Sequence, residues 1–428
     1  MTCSIVPPYL LQQIARAPDA RAGDGCHRTL SIDDAIRQRR QGARPQAVAD
    51  GGWTIHTAGN TDILPGEPAR ARGEPPSGDA AVNEAYDGIE ASLAMFADVF
   101  DRDSYDGASA HVNATVHYEQ DYDNAFWDGT QLVVGDGDGE IFDRFTKSVD
   151  VLAHEFTHAV TEHVAGLVYE GQSGALNESV SDVFAACLKQ RLLGQTAAEG
   201  DWLIGADLFM PGVSARGLRD MANPGTAYDD PVLGVDPQGA DMDGYVETTD
   251  DNGGVHLNSG IPNRAFQLAA VAVGGTAAEG AGRIWWQALD EVPAEVDFAG
   301  FAAATLRVAG AQADAVRSAW QTVGVVPGTP DAGQRTIAGR SPDLVEVRRS
   351  GGFAGRGVSG QCELTGDDPR TGEIRELLDR VDLRAMETGR RWPDMYVYTF
   401  MVGDDSVSVV ENQMTDDLKR LASLLLDQ

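Results

Sequence analysis

His154 and His158 stand four residues apart in the run Asp150-Val-Leu-Ala-His-Glu-Phe-Thr-His158. On a helix they share one face, and both imidazoles aim at one point. Glu155 lies about 100° further round the same helix, poorly placed to share a tetrahedral site but close enough to reach water there. This is a zinc-hydrolase pattern. A catalytic zinc takes three protein ligands and keeps one position open. Glu178, in the run Gly174-Ala-Leu-Asn-Glu-Ser-Val-Ser-Asp182, is the candidate third ligand. Asp182 follows it by four and shares its helix face, where it can accept a ring N–H from a ligand histidine. A lone His-x-x-x-His also reads as a surface or capping pair; the second pair of carboxylates argues for a metal centre.

Two apolar-periodic helices joined by a Gly-containing connection must carry these residues. Upstream, Ala85, Ile89, Leu93 and Phe96 recur at helical spacing from Ala80 until Asp101-Arg102-Asp103-Ser104 breaks the pattern. Residues 111–118 and 131–134 read as strands and 135–139 as a turn, after which helices run to Val323. The expected fold class is α+β: a catalytic unit with a β-rich N-terminal lobe and a mainly helical C-terminal lobe, followed by a small α+β domain. Residues 328–342 are a Pro/Gly linker by composition. Beyond it come a strand at 344–348, an amphipathic helix marked by Ile374, Leu377, Leu378 and Val381, and strands 395–401 and 406–410 joined through Gly403-Asp404. A last helix is capped by Thr415. At the other end a leader runs to about Arg40, with an extended Val6-Pro7-Pro8-Tyr9 and short helical stretches such as 31–36, capped by Ser31. The basic run 37–40 opens a polar segment that a protease can cut, and 64–78 reads as a second loop. The expected division is 1–50, 51–327, 328–341 (linker) and 342–428.

With 428 residues the chain exceeds what one core organises. Its 66 acidic residues against 33 basic ones argue against nonspecific binding to nucleic acid or anionic membrane. Cys3, Cys26, Cys187 and Cys362 are scattered without ligand-like spacing, so reduced thiols are expected. No basic and apolar signal pattern opens the chain and no apolar run approaches the ~18 residues of a membrane span. Cytoplasmic residence, or export without a recognisable signal peptide, is the expectation.

Residues 150–182, with Asn124-Ala125-Phe126-Trp127, the turn at 135–139 and Asp251-Asn-Gly-Gly-Val-His-Leu-Asn-Ser-Gly260, resemble the thermolysin family of neutral zinc metallopeptidases over residues 80–324. The resemblance implies one catalytic Zn²⁺ on His154, His158 and Glu178, with Glu155 as general base. It also implies His256 and Tyr169 at the oxyanion, Asp251 orienting His256, Asn124 and Ala125 on the peptide backbone, and Arg219 on a primed-side carbonyl. The matching pocket positions Phe142, Phe145, Val151, Ile204, Leu208 and Leu218 are apolar, which implies cleavage before bulky hydrophobic residues. Where calcium-rich members carry a carboxylate, this chain has Lys189, so structural calcium is doubtful and pairing of Lys189 with Asp150 and Asp201 is expected. Ile5-Val6-Pro7-Pro8-Tyr9-Leu10-Leu11 resembles the short propeptide motif of the protealysin subgroup, with Pro7, Pro8 and Tyr9 at its centre. Residues 347–355 resemble emfourin, an inhibitor associated with such enzymes. The expected protein is an autoprocessed zymogen acting on protein or peptide substrates, restrained by its leader and a C-terminal inhibitor-like module. The competing expectation is a silenced zinc-binding interaction protein whose cleft stays filled by either segment. Cys26 is expected to be incidental.

Overall fold

The computed structural model describes residues 3–16, 20–39, 49–328, 344–351, 358–364, 368, 370–380, 396–402, 405–411 and 414–426. The chain forms two compact units, Met1–Gly333 and Gln334–Gln428.

The first unit opens with β1 (Cys3–Ser4), α1 (Pro8–Ala15) and α2 (Ala20–Arg39), followed by β2 (Trp53–Thr61), β3 (Glu67–Ala71) and α3 (Ala80–Phe100). Strands β4 (Val112–Tyr118), β5 (Ala125–Trp127) and β6 (Leu132–Val134) complete a six-stranded sheet of order β1-β5-β6-β4-β2-β3. The pairs β2–β4 and β4–β6 are parallel and the other three antiparallel. Next come α4 (Val149–Val164) and α5 (Gly171–Leu193), then the short strands β7 (Leu203–Ile204), β8 (Arg219–Asp220), β9 (Asp229–Asp230) and β10 (Gly234–Val235). Helices α6 (Asp251–Asn258), α7 (Gly260–Val273), α8 (Arg283–Glu291), α9 (Phe298–Val308) and α10 (Ala313–Thr322) finish the helical lobe.

The packing that sets α4 against its neighbours is aromatic and close. Phe96 and Phe100 of α3, Phe156 of α4, Phe184 of α5 and Trp286 of α8 form one ring cluster, with centroids 5.0–6.1 Å apart. Truncating one such ring to Ala costs about 3–5 kcal/mol. Gly88 lets α3 approach α4: a Cβ there would lie 2.5 Å from Leu152 Cδ1.

Several local expectations change. The leader region around Ser31 is one continuous helix rather than a set of short ones; Ser31 lies inside α2 and its hydroxyl donates to the His27 carbonyl at 2.9 Å. Two glycines do not break α2, and Gly25 lies close against Asp123, whose Oδ2 would stand 3.2 Å from a Cβ there. The extended stretch ends at Pro7: Pro8 and Tyr9 are helical, with Pro8 at the first position, where a fixed φ and a missing N–H suit the helix. Residues 64–78 are not all loop, because β3 lies within them, and β2 has no counterpart in the sequence reading.

The second unit comprises β11 (Leu344–Gly351), β12 (Val358–Glu363), α11 (Thr371–Arg380), β13 (Tyr396–Val402), β14 (Asp405–Val410) and α12 (Asp416–Leu426). Its antiparallel sheet has the order β12-β11-β13-β14. Its own core includes Val345, Val347, Phe400, Ile374, Leu377, Leu418 and Leu421. Thr415 caps α12 as expected, accepting from the Leu418 N–H at 3.3 Å. Most of the linker, the Gly403-Asp404 turn and residues 352–357 of the glycine-rich segment lie outside the described residues.

Candidate active site

Helices α4 and α5 bring His154, His158 and Glu178 together, all buried, with one candidate ligand atom from each lying within 4.8 Å of the others. The two imidazole Nε2 atoms are 2.9 Å apart, and Glu178 oxygens lie 3.4 Å from His154 Nε2 and 3.8 Å from His158 Nε2. Ligands at about 2.1 Å in a tetrahedron stand about 3.4 Å from one another, so the set fits zinc. The outer ring nitrogens are held from behind. His154 Nδ1 meets Asp182 Oδ1 at 2.8 Å, and His158 Nδ1 meets Asn177 Oδ1 at 2.8 Å. Both bonds leave the Nε2 lone pairs for a cation.

Asp182 is fully buried and serves four donors: His154, Arg219 Nε at 2.7 Å, Arg219 Nη2 at 2.8 Å and Asn263 Nδ2 at 2.8 Å. Burial raises its pKa, but Arg219 and His154 outweigh that and hold it at about 2. Glu155 is fully buried too. Its Oε2 accepts the Trp127 backbone N–H at 2.9 Å, while Oε1 has no hydrogen-bond partner. Burial, opposed by His154 and reinforced by Glu178, pushes its carboxyl up to about 8.

The far wall is built by α6. Four consecutive residues, Asp251 to Gly254, have φ between 51° and 84°, a left-handed turn that the Asn-Gly-Gly sequence favours. The turn folds Asp251 back on His256, accepting from the His256 backbone N–H at 3.0 Å and meeting Nδ1 at 2.8 Å. Gly174 permits the fit, since a Cβ there would lie 2.5 Å from Val255 Cγ1. The Tyr169 hydroxyl donates to Glu178 Oε1. The pocket positions Phe142, Phe145, Val151, Ile204, Leu208 and Leu218 are each at most 1% exposed and share one continuous core with Ile5 of the leader.

The leader crosses this site as a strand. β1 pairs antiparallel with β5, Cys3 opposite Trp127 and Ser4 opposite Phe126. His256 Nε2 lies 3.1 Å from the Ser4 carbonyl. The Ile5 N–H donates to the Ala125 carbonyl at 3.1 Å, and Arg219 Nη1 donates to the Ile5 carbonyl at 2.9 Å. Asn124 grips Val6 at both ends, accepting its N–H at 2.9 Å and donating to its carbonyl at 3.3 Å. Tyr9 shares a hydrogen bond with Tyr228. Cys26 lies away from the metal ligands, its thiol 3.6 Å from Asp123 Oδ2, and burial pushes it far up. Lys189 pairs with Asp150 at 3.5 Å and Asp201 at 2.8 Å, the arrangement expected from its sequence position.

The structure gathers His154, His158, Glu178, Glu155, Asp182, Tyr169, Asp251, His256, Asn124, Ala125 and Arg219 around the leader and the metal ligands, while the six apolar positions lie buried in the core of the same unit. Sequence reasoning missed Asn177, Asn263 and the Trp127 amide. Asn177 was visible beside Glu178, but only the packing of α5 on α4 turns it toward His158.

The family described as "Thermolysin metallopeptidase, catalytic domain" matches residues 68–162, and "Thermolysin metallopeptidase, alpha-helical domain" matches residues 165–325. The chain is 48% identical over 334 residues to the "Extracellular metalloprotease" of Pectobacterium carotovorum subsp. carotovorum, covering 76% of this chain and 96% of that protein. It is 40% identical over 339 residues to "Protease PrtS" of Photorhabdus sp. (strain Az29), covering 75% and 91%. The solved structure of the precursor of protealysin, a metalloproteinase from Serratia proteamaculans, superposes with a TM-score of 0.70 at 46% identity, covering 76% of this chain and all of that one. Identity of this extent, together with a His-His-Glu centre fit for zinc, makes the chain a member of the thermolysin family of zinc metallopeptidases.

Proposed function

We propose that the protein is a zinc endopeptidase that cuts before bulky hydrophobic residues, is made as a zymogen, and is restrained by a fused inhibitor-like C-terminal module. The leader lying across the cleft, hydrogen-bonded to Ala125, Asn124, Arg219 and His256, is the observation that carries the zymogen reading.

In this reading His154, His158 and Glu178 hold the metal. Bound there, zinc would supply Lewis acidity toward a carbonyl and a water at the open position. Glu155, buried with one carboxylate oxygen held by the Trp127 N–H and the other without a partner, takes the proton from the attacking water and delivers it to the leaving nitrogen. His256, steadied by Asp251, and Tyr169 face the developing oxyanion. Asn124, Ala125 and Arg219 hold the substrate backbone. The six buried apolar side chains around Ile204 and Leu208 define the pocket for the residue after the cut, and Pro7, Pro8 and Tyr9 anchor the leader.

Residues 1–50 act as propeptide, 51–327 as peptidase, 328–341 as linker and 342–428 as an emfourin-like module. The strand and helix order of the second unit supports that last assignment. Protein or peptide chains are the substrates. The name of the extracellular relative supports a site of action outside the cytoplasm. Among the described residues no helix is long and apolar enough to cross a membrane.

A second reading, a silenced zinc protein, draws on the same filled cleft. Comparing wild type with Glu155→Ala, each with and without a zinc chelator, separates the two by casein cleavage and intact mass. The peptidase reading requires casein cleavage by the wild type alone, abolished by the chelator, and the zymogen reading requires trimming of the leader as well. A wild type inert toward casein, even without residues 342–428, sinks it.

A further inference from the structure

The leader does more than fill the cleft: its contacts set one particular bond at the site of reaction. Three neighbouring residues are held in a fixed frame. The Ser4 carbonyl faces His256 Nε2 at 3.1 Å, the Ile5 N–H and carbonyl are fixed by Ala125 and Arg219, and the Val6 N–H and carbonyl by Asn124. The carbonyl that faces the oxyanion histidine belongs to Ser4, so the bond leading on from it is Ser4–Ile5. The residue after that bond is Ile5, which is fully buried in the same core as the six pocket side chains. Glu155 sits beneath the same stretch: its Oε2 is tied to the Trp127 N–H, and Trp127 is the register partner of Cys3. Its Oε1 is buried without a partner, a carboxylate oxygen positioned to take a proton. A segment that blocked the cleft only by bulk would have no need to set a carbonyl against His256, bury an apolar residue directly after it and engage both polar groups of two successive residues.

We infer that the leader is the enzyme's first substrate, cut in its own cleft between Ser4 and Ile5. The inference rests on the peptidase reading above. The water oxygen joins the Ser4 carbonyl carbon and the C–N bond to Ile5 breaks. One water proton reaches the Ile5 nitrogen through Glu155, and the other leaves the new Ser4 carboxyl group. Nothing beyond water is consumed. The cut leaves Val6 on Asn124 and Tyr9 on Tyr228, so the rest of the leader keeps its hold on the cleft.

The test follows the N-terminus of the full-length, zinc-loaded chain by intact mass and N-terminal sequencing. Wild type is expected to accumulate chains that begin at Ile5, at a rate independent of protein concentration, and Glu155→Gln to keep its original N-terminus. Ile5→Asp, which sets a charge against the apolar pocket, is expected to slow the cut at least tenfold. Ser4→Ala, which leaves the backbone frame intact, is expected to be cut like wild type and so controls for misfolding. When tagged Glu155→Gln is mixed with wild type, the tagged chain should keep its N-terminus. Wild type that cleaves casein while Ser4–Ile5 stays whole, or that is cut only elsewhere in the leader, overturns the inference and leaves the peptidase reading standing. Cutting of the tagged inert chain by its neighbours also overturns it, because the cut would not be made in place. Wild type that cleaves neither casein nor its leader overturns the peptidase reading itself.

Discussion

At the residue scale the centre depends as much on the groups behind the ligands as on the ligands. Asn177 holds His158 from its outer nitrogen as Asp182 holds His154. Asn177→Ala is expected to weaken zinc affinity by about 10–100-fold, the usual effect of losing an outer partner, with little change in fold. Metal content after dialysis against graded chelator reads this directly; unchanged retention counts against it. Glu155→Gln is expected to keep zinc and lower turnover by about 10²–10⁴-fold, the range for a general base. Lys189 makes a third case. Its ammonium pairs with Asp150, which is only 1% exposed, so Lys189→Met leaves that buried carboxylate with only the Ser148 hydroxyl and the Gly205 N–H as donors and should lower stability in chemical denaturation by about 1–3 kcal/mol. Added calcium should move the wild-type melting temperature little at saturating zinc. The ligands, Glu155 and the Lys189 pairs were legible because each falls at a helical interval or at a family position. Asn177 and Asn263 were not, since their roles arise only when α5 and α7 face α4.

At the scale of elements, α2 is clamped to the catalytic unit by buried polar groups rather than by apolar packing alone. Asp123 accepts from Cys26 and its own N–H donates to Thr29, while Asp33 accepts from Tyr122 and Asn124. Burial, followed by the charge of Asp138, raises the Asp123 carboxyl to about 8. A carboxyl whose pKa is raised in the docked state binds its proton more tightly there than when exposed, at about 3.9. Docking is therefore fully favoured below about pH 4 and weakens as pH climbs toward 8, by up to tenfold per pH unit, the limit for one proton. Hydrogen exchange of α2 in the Glu155→Gln chain, corrected for intrinsic rates, should show protection falling from pH 6 to 8. Asp123→Asn should flatten that slope; an unchanged slope removes Asp123 from the account. Sequence periodicity found α3 because it buries one face, whereas α4, buried all round from Asp150 to Thr161, was legible from the spacing of its histidines, and β4, buried at most positions on both sides, from its β-branched and apolar run. Periodicity failed on β2 and β3, whose strand character comes from pairing rather than from a clean alternation, and on α2, where glycines stand at a contact.

At the scale of the whole molecule, the two largest cores among the described residues divide the chain. The first runs from Ile5 to Val325 and the second from Val345 to Leu425. Separate cores predict separate melting: calorimetry of the full chain should resolve two transitions, and removing residues 342–428 should delete one and leave the other within a few degrees. A single transition lost as a whole on truncation would contradict this. If the second unit restrains the peptidase of neighbouring molecules, casein activity per molecule should rise on dilution; constancy points to restraint within one chain. Pro and Gly content puts a linker at 328–341, and the two units divide between Gly333 and Gln334; the docking of the leader onto the sheet of the first unit was not readable, because two residues of β1 carry no periodic signal.

That two-residue strand also bears on solubility. The six-stranded sheet has two outer rims. One is β3, whose Pro68 lacks an N–H and whose Glu67 and Arg70 are charged, all features that discourage a second chain from pairing there. The other would be Ala125-Phe126-Trp127, an apolar segment with neither proline nor charge, were it not covered by Cys3 and Ser4. The leader therefore closes the rim most prone to edge-to-edge self-association while the chain folds and accumulates. If the leader is removed, that rim is left open to edge-to-edge pairing, and a chain lacking residues 1–50 should need lower concentrations, or a bound extended peptide, to stay dispersed.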